Sequence, residues 1–362
     1  AYTESVRSAG GLPVVLPPGE TDALALLERV DGVLLTGGHF DIHPSHYGAA
    51  VSGRIDRTDD GRTSAELALA LRCLDRDIPI LGVCGGIAAY KAAALCSGLV
   101  RAGAMVDVVL TDAAREFVAP LTFQALTHRP VVTDMFSLLA ETEIGHVSLA
   151  KRADLVVIAP ATANTLAKMA SGLADNMLTT TALASEAPIL LAPAMESRMW
   201  THPLTQENLA RLRDACDLVV VGPGEGRLAS GARGLGRMAE PDVIYDAIRW
   251  TLGRRGPLAG KRIVVTAGGT REPLDPIRFI GNRSSGQMGY ALAHQARDRG
   301  AHVILVSTTG QLAPFGVELV PVDTASQMHD AVIEALADAD MLLMAAAVAD
   351  YTPAIRSPHK IK

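Results

Sequence analysis

The chain has few cysteines, few aromatic residues and no long hydrophobic run, and each shortage excludes a class of protein. Its 4 cysteines include no Cys-x-x-Cys pair, which argues against a disulfide scaffold and makes the reducing cytoplasm the expected compartment. Apolar stretches such as MLLMAAAVA (341–349) are far shorter than the ~20 residues that cross a bilayer, so no membrane span is expected. Acidic residues (39) outnumber basic ones (33), so we expect no nucleic-acid surface.

The composition indicates α/β domains. The chain is 49% hydrophobic but only 4% aromatic, as is typical of parallel sheets built from Ala, Val, Leu and Ile and covered by helices. Alternating strand and helix patterns predict an N-terminal α/β fragment, a doubly wound parallel-sheet domain and, after the linker RRGPLAGK, a partial Rossmann-like α/β domain. The predicted limits are 1–77, 78–252 and 259–362. Ligands of such sheets bind beyond the carboxyl ends of the strands.

The stretch PILGVCGGIAAYKAAALC (79–96) predicts a strand, a sharp turn and a helix. Gly85 and Gly86 would let backbone N–H groups at the start of the helix approach a phosphate. Cys84 could instead be a nucleophile, which would need a histidine to activate its thiol. A tight turn that binds nothing is the third interpretation. These residues alone leave all three open.

The segments AYTESVRSAGGLPVVLPP, DGVLLTGGHFDIHPSHYG and RTSAELALALRCLDRDIPILGVCGG resemble the front part of class I glutamine-amidotransferase-like hydrolases of the gamma-glutamyl-GABA hydrolase type. The resemblance covers residues 1 to about 84 and implies Cys84 as nucleophile, completed by a His-x-Glu pair further along. None of the 10 histidines is followed two places later by Glu. The triad is therefore incomplete, and gamma-glutamyl amidohydrolase activity is an alternative rather than the leading hypothesis.

From GVCGGIAAYKAAALCSGLVRAGAMVDVVLTDAAREFVAPLTFQAL to its end, the chain resembles the bifunctional phosphopantothenoylcysteine decarboxylases and phosphopantothenate–cysteine ligases of coenzyme A biosynthesis. The resemblance implies a flavoprotein domain in which FMN acts as electron sink while 4′-phosphopantothenoylcysteine loses CO2 to give 4′-phosphopantetheine. It also implies a homo-oligomer, a trimer or dodecamer. The strand PILGV would then belong to the flavin domain.

The same resemblance assigns residues to the flavin. The FMN contacts that it implies are Gly85, Gly86, Ile87, Thr111, Phe123, Thr162, Asn164 and Met195. From the sequence alone, the two threonines are equally expected to cap the helices that follow them, and both roles can coexist. GHVSLAKRAD matches the catalytic histidine motif of the family, which makes His146 the expected proton-handling group.

Two positions depart from the family pattern. APAMESRMW carries Glu196 where the signature has Asn, and a carboxylate facing an anionic substrate would repel it unless it turns away or is protonated. The flap-like segment GPGEGRLASGARGLGRMAEP carries Ser230 where several relatives have Cys. A hydroxyl is a much weaker acid than a thiol, so water or another group is expected to donate the proton.

RIVVTAGGTREPLDPIRFIGNRSSGQMGYALA resembles the nucleotide and acyl-phosphate motif of the ligase, which joins phosphopantothenate to cysteine with CTP and Mg²⁺. Asn282 would steady the acyl intermediate, and the implied CTP contacts are Arg278, Ala345, Ala346, Asp350 and Lys360. A plain helix cap and turn is the alternative for SSGQMG. No metal-ligating cluster is predicted. Because the sequence stops after HKIK, we expect a truncated ligase without activity; an inactive flavin-fold relic is the remaining alternative.

Overall fold

The computed structural model describes residues 79–135 and 145–361. The chain divides into two compact units, Ala1–Asp77 and Ile78–Lys362, and the description below concerns the second. The expected N-terminal α/β fragment lies outside the described residues.

The second unit begins with a six-stranded parallel sheet in the order β3-β2-β1-β4-β5-β6. The strands are β1 Pro79–Val83, β2 Asp107–Leu110, β3 Val131–Val132, β4 Leu155–Ala161, β5 Ile189–Pro193 and β6 Leu218–Val220. The order reverses at β1 and β4, which is the doubly wound arrangement predicted from the sequence. PILGV forms β1 and pairs with both β2 and β4, so it lies at the centre of this sheet, as expected.

Helices cover both faces of this sheet. They are α1 Ala89–Arg101, α2 Asp112–Arg115, α3 Pro120–Thr127, α4 Gly145–Arg152, α5 Ala163–Ala170, α6 Met177–Ala184, α7 Ser197–Trp200, α8 Pro203–Ala215 and α9 Pro241–Gly253. Successive β1 residues point to opposite faces, so Leu81 and Val83 join one buried cluster and Ile80 and Cys84 the other. All residues of β1, β2, β4 and β5 are buried, which explains why their apolar runs were readable in the sequence.

A two-stranded antiparallel hairpin, β7 Gly224–Arg227 and β8 Arg233–Arg237, follows β6 and corresponds to the flap-like segment. Two glycines of β8 lie against the loop that follows β5. A Cβ atom at Gly234 would collide with the Ser197 hydroxyl, and one at Gly236 would collide with the Met195 carbonyl oxygen. Only glycine therefore lets this hairpin pack where it does.

A second parallel sheet, in the order β13-β12-β9-β14, confirms the Rossmann-like α/β fold predicted after the linker. Its strands are β9 Arg262–Ala267, β12 His302–Ser307, β13 Glu318–Pro321 and β14 Met341–Met344. Its helices are α10 Gln287–Arg297 and α11 Ala325–Leu336. A small separate hairpin consists of β10 Arg271–Pro273 and β11 Phe279–Gly281. Within residues 79–135 and 145–361, no helix combines the length and hydropathy that a membrane span requires. No three His, Cys, Asp or Glu side chains of the same ranges are placed to hold a metal ion.

A buried ion network joins the last helix that covers the first sheet to the second sheet. Arg297 has no exposed side-chain surface, and its guanidinium donates to Asp246 of α9 (2.8 Å), to Asp298 and to the Phe315 carbonyl oxygen (2.8 Å). Trp250 packs edge-on against Phe315, with 5.3 Å between ring centroids. The two sheets are therefore held together by charge pairs as well as by apolar packing.

Candidate functional site

The carboxyl ends of β1, β2, β4 and β5 lie at one edge of the first sheet, because these strands are parallel neighbours. The residues that directly follow them are the glycine turn after Cys84, Thr111, Thr162 and the loop 194–196. Most of the residues that the sequence analysis assigned to the flavin are thus brought to the same edge. This is the place where ligands of open α/β sheets bind.

The glycine turn leaves backbone donors without a side-chain cap. A Cβ atom at Gly85 would lie 2.6 Å from the carbonyl carbon and oxygen of Ala113, so the turn approaches α2 too closely for any other residue. A Cβ atom at Gly86 would meet nothing within 4 Å, so the space above that residue is open. Ala88 occupies the N-cap position of α1 and offers no side-chain acceptor. A phosphate in this space would satisfy the free N–H groups, so the turn fits a nucleotide phosphate.

Cys84 does not have the properties of a nucleophile. Its side chain is 1% exposed, and its sulfur lies 3.1 Å from the Thr165 hydroxyl oxygen, which in turn lies 3.2 Å from the hydroxyl oxygen of Thr162. Burial raises the pKa of the Cys84 thiol, whereas a nucleophilic cysteine needs a lowered one. Thr165, which the sequence analysis missed, therefore links the core beneath the turn to the loop after β4.

Thr111 and Thr162 both cap helices, one of the two roles expected for them. The Thr111 hydroxyl accepts from the Ala114 N–H (3.3 Å), and the Thr162 hydroxyl accepts from the Thr165 N–H (3.3 Å). Asn164 is exposed in the first turn of α5. Capping orients these hydroxyls at the sheet edge and uses only part of their hydrogen-bonding capacity, so a ligand contact stays compatible with it.

Ile87 and Phe123 differ sharply in exposure. Ile87 follows the glycine turn and is 64% exposed, whereas the Phe123 side chain has no exposed surface and packs in the core cluster on the α1 face. Phe123 is therefore a core residue of this structure, and its ring is not presented to the open space. Its apolar neighbours in the sequence gave no indication of this difference.

Glu196 and Ser230 contact each other. Glu196 precedes α7, and its Oε2 accepts a hydrogen bond of 2.8 Å from the Ser230 hydroxyl at the tip of the β7–β8 hairpin. The backbone holds the same two segments together, because the Met195 N–H donates to the Gly236 carbonyl oxygen (3.0 Å). The carboxylate is thus directed to the flap hydroxyl.

Lys91 anchors the other end of the flap and was not found by the sequence analysis. Its side chain is buried in α1, and its ammonium donates to Glu240 (2.9 Å) and to the Met238 carbonyl oxygen (3.3 Å). The hydrogen bond from Lys91 holds the pKa of the Glu240 carboxyl below its usual range. The signal available in the sequence was a single lysine beside Ala92 on the buried face of an alanine-rich helix.

His146 is the second residue of α4 and is half-buried. Because a crossover helix runs antiparallel to the strand that follows it, the start of α4 lies toward the edge where the parallel strands end. The topology therefore puts His146 toward the same edge of the sheet as the glycine turn, on a helix that packs against the other face. Residues 136–144, which precede α4, lie outside the described part of the chain.

The second sheet carries the residues assigned to the nucleotide. The Asn282 amide donates to the Val348 carbonyl oxygen (3.0 Å), so it holds the loop after β14. The Ala345 and Ala346 N–H groups both donate to the Thr266 hydroxyl (3.1 Å each), which leaves their carbonyl oxygens for other partners. The structure thus joins Asn282 to the alanine loop. Arg278, Asp350 and Lys360 are exposed.

Three family models match the chain. Residues 72–253 match the Flavoprotein model, residues 258–362 match the DNA/pantothenate metabolism flavoprotein C-terminal domain, and residues 1–99 match Peptidase C26. The coenzyme A biosynthesis bifunctional protein CoaBC of Mycobacterium tuberculosis is 48% identical over 289 residues, which cover 78% of this chain and 68% of that protein. The chain belongs to the CoaBC family. Bacillus subtilis CoaBC is 46% identical over 287 residues, with 78% and 70% covered.

Solved structures show further likenesses to the CoaBC-type flavin domain. A PPC decarboxylase mutant complexed with pantothenoylaminoethenethiol is 35% identical, covering 48% of this chain and 97% of that one with a TM-score of 0.44. The FMN-dependent cysteine decarboxylase SpaF is 33% identical, covering 49% and 97% with a TM-score of 0.42. The family, and not these superpositions, identifies the chain as a decarboxylase with an attached ligase domain.

Proposed function

We propose that this CoaBC-family chain decarboxylates 4′-phosphopantothenoylcysteine to 4′-phosphopantetheine with FMN, and that its second domain belongs to the CTP-dependent ligase step. The observation that carries the first part is the uncapped glycine turn at the carboxyl edge of a flavoprotein sheet. The FMN phosphate would accept hydrogen bonds from the N–H groups around Gly85, Gly86 and Ile87. Thr111, Thr162, Asn164 and Met195 would surround the rest of the cofactor.

Bound FMN would supply a reversible electron sink for loss of CO2 from a cysteinyl carboxylate. The protein's own part is to bind, to orient and to handle protons. His146 would hold or move the proton at the reacting end of the substrate. The β7–β8 hairpin, tied down by Lys91 at one end and by Glu196 at the other, would cover the substrate and exclude water.

For the second domain, we propose binding of CTP with Mg²⁺, the nucleotide of the family's ligase step. Arg278 and Lys360 would neutralise phosphate oxygens, Asp350 would contact the nucleotide, and Asn282 would steady the activated carboxylate. The hydrogen bond from Asn282 to Val348 supports this arrangement, because it sets the alanine loop beside the residue assigned to the reaction.

We also propose a homo-oligomer, a trimer or dodecamer, in the cytoplasm. Large apolar side chains near the glycine turn are exposed, including Ile87 (64%), Tyr90 (62%) and Leu121 (71%), and a second copy would cover them. Cys84, Cys96 and Cys216 are all unpaired in the described part of the chain, which fits a reducing compartment.

The experiment is decarboxylation of 4′-phosphopantothenoylcysteine by the FMN-loaded chain, with product detected by mass. We expect His146→Asn to lower turnover about 100-fold or more, the usual worth of a positioned acid–base group, while FMN stays bound. His329→Asn, a change at an exposed histidine of the second domain, is the matched control and should leave turnover unchanged. Equal turnover by His146→Asn and the unaltered chain would contradict the role of His146; no turnover by the unaltered chain would contradict the proposed reaction.

A further inference from the structure

One buried carboxylate, Asp275, ties together two segments that are 86 residues apart. Asp275 lies between β10 and β11, and its side chain has no exposed surface. Its Oδ1 accepts from the N–H groups of Ile277 (2.8 Å) and Arg278 (2.7 Å) within its own loop. Its Oδ2 accepts from the Ile361 N–H (3.0 Å), which belongs to the segment KIK. The sequence analysis assigned no role to Asp275.

Backbone hydrogen bonds reinforce the same junction. The Arg278 carbonyl oxygen accepts from the Leu274 N–H (2.9 Å), which closes the loop that Asp275 organises. The Leu274 carbonyl oxygen accepts from the Ser357 N–H (2.9 Å), so the segment that leads to Ile361 is also attached to this loop. The loop and the segment therefore form one local unit, with the Asp275 carboxylate at its centre.

The charge of Asp275 is already compensated by backbone donors. The hydrogen bond from the Ile361 N–H is the largest influence on the Asp275 carboxyl, and with those from Ile277 and Arg278 it holds the pKa below the usual range despite burial. Hydrogen bonds to an ionised acceptor are stronger than neutral ones. The carboxylate is therefore ionised, its oxygens are turned to three N–H groups, and the Arg278 guanidinium lies 3.9 Å from Oδ2, so the nearest cation offsets its charge.

We propose that Asp275 is the positioning residue of the nucleotide site, fixing Arg278 and Lys360 at one separation so that both cations meet the phosphates of CTP. Arg278 donates its own N–H to Asp275, and Lys360 directly precedes Ile361, so each cation is adjacent to a hydrogen bond of the same carboxylate. This inference rests on the proposed ligase function. Asp275 acts through its neighbours and does not touch the nucleotide.

Three variants test the inference in the full chain with FMN bound. Asp275→Asn keeps the shape and removes the charge, and Ile361→Pro removes the N–H that Asp275 accepts while also fixing φ at 361 and restricting the backbone of Lys360. Asp340→Asn is the matched control. Asp340 also accepts a backbone N–H, that of Arg262 (2.8 Å). It joins β9 and β14 of the second sheet at their amino ends, away from the carboxyl edge. The readouts are calorimetric Kd for CTP with Mg²⁺ and amide hydrogen exchange of the peptide 355–362.

We expect Asp275→Asn and Ile361→Pro each to raise the CTP Kd about 10-fold and to accelerate exchange in the peptide 355–362 about 10-fold or more, the loss of one charge-assisted hydrogen bond. Combined, they should do little more than either alone, because both break the same contact. Asp340→Asn should change neither readout. If the unaltered chain binds CTP and Asp275→Asn binds it with the same Kd, the positioning role is overturned and the proposed CTP binding is not. No CTP binding by the unaltered chain would overturn the proposed ligase function and the positioning role with it.

Discussion

Alanine substitutions at the two glycines after Cys84 should have opposite effects. Gly85→Ala should destabilise the fold, and Gly86→Ala should weaken FMN binding without destabilising the fold. In Gly85→Ala, the new methyl group would lie 2.6 Å from the carbonyl carbon and oxygen of Ala113, atoms that cannot rotate away. In Gly86→Ala, the new methyl group would meet nothing within 4 Å, and Gly86 is not among the residues with positive φ, so the folded chain accommodates it. Only a bound phosphate would meet that methyl group.

The magnitudes follow from these contacts. Overpacking of this kind costs about 1–3 kcal/mol, which lowers the Tm of a domain of this size by about 2–12 °C, so Gly85→Ala should unfold earlier even without FMN. Gly86→Ala should keep the Tm of the cofactor-free chain. If its methyl group displaces the phosphate from one backbone N–H, a hydrogen bond worth about 1.5–3 kcal/mol is lost, and the FMN Kd rises about 10- to 150-fold.

The assay pairs thermal unfolding of the cofactor-free chain with titration of FMN fluorescence. Gly310→Ala serves as the matched control, because its Cβ would also meet nothing within 4 Å and it lies in the second domain. It should change neither Tm nor FMN Kd. If Gly86→Ala binds FMN with the Kd of the unaltered chain, the FMN phosphate does not lie at the glycine turn. An unchanged Tm in Gly85→Ala would mean that the turn does not approach Ala113 as described.

Two further predictions concern buried groups. Arg297→Met keeps the stem of the side chain and removes the guanidinium from Asp246 and Asp298. Asp298 still pairs with Arg249, and Asp246 still accepts from the Phe315 N–H, so urea unfolding should show a loss of about 3 kcal/mol. Burial opposes ionisation of Asp246, but hydrogen bonds from Arg297 and the Phe315 N–H outweigh it and hold the pKa of the carboxyl low. The stability that ionised Asp246 contributes is complete above about pH 4 and is lost below it. The difference in unfolding free energy between Arg297→Met and the unaltered chain should therefore narrow in acid, and a difference independent of pH would refute this account. Among the three cysteines of the described residues, burial raises the pKa of each thiol, that of Cys96 to about 11, so exposure decides which one reacts. Iodoacetamide should therefore label half-buried Cys216 before buried Cys84 and Cys96, and Cys84→Ala should retain decarboxylation. Rapid labelling of Cys84 would instead favour the hydrolase interpretation.

The strands that build the flavin site could be predicted from the sequence, because a parallel strand buried on both faces appears as a continuous apolar run. PILGV and LVVIAPA are such runs, and they form β1 and β4. The edge strand β3 has only two residues, Val131–Val132, too few for any periodicity, and it was missed. The ends of the strands were also predictable, and the glycine turn, Thr111 and Thr162 follow them; their assignment to the flavin came from the family resemblance and not from the periodicity.

The contacts that hold the site together could not be predicted in this way. Lys91 and Glu240 are 149 residues apart, and Asp275 and Ile361 are 86 apart. Local periodicity reports which face of an element is buried, but it carries no information about the partner of a single charged side chain. Such a partner is fixed only when the elements pack. Lys91 on an alanine-rich face and Asp275 in a proline-containing loop each indicate that a partner exists. Neither position indicates which residue that partner is.

Glu196 and Ser230 show how this limit affects conclusions about function. Taken from the sequence one at a time, each weakens the match to the decarboxylase, since one adds a charge and the other removes an acidic thiol. Taken together in the structure, they are the acceptor and donor of one hydrogen bond of 2.8 Å between the flap and the loop after β5. An ionised carboxylate only accepts hydrogen bonds, whereas an asparagine amide can also donate them. Glu196 therefore needs a donor opposite it, and a serine hydroxyl is a better donor than a cysteine thiol. In this chain the two departures therefore contact each other, and their hydrogen bond attaches the tip of the flap to the loop after β5.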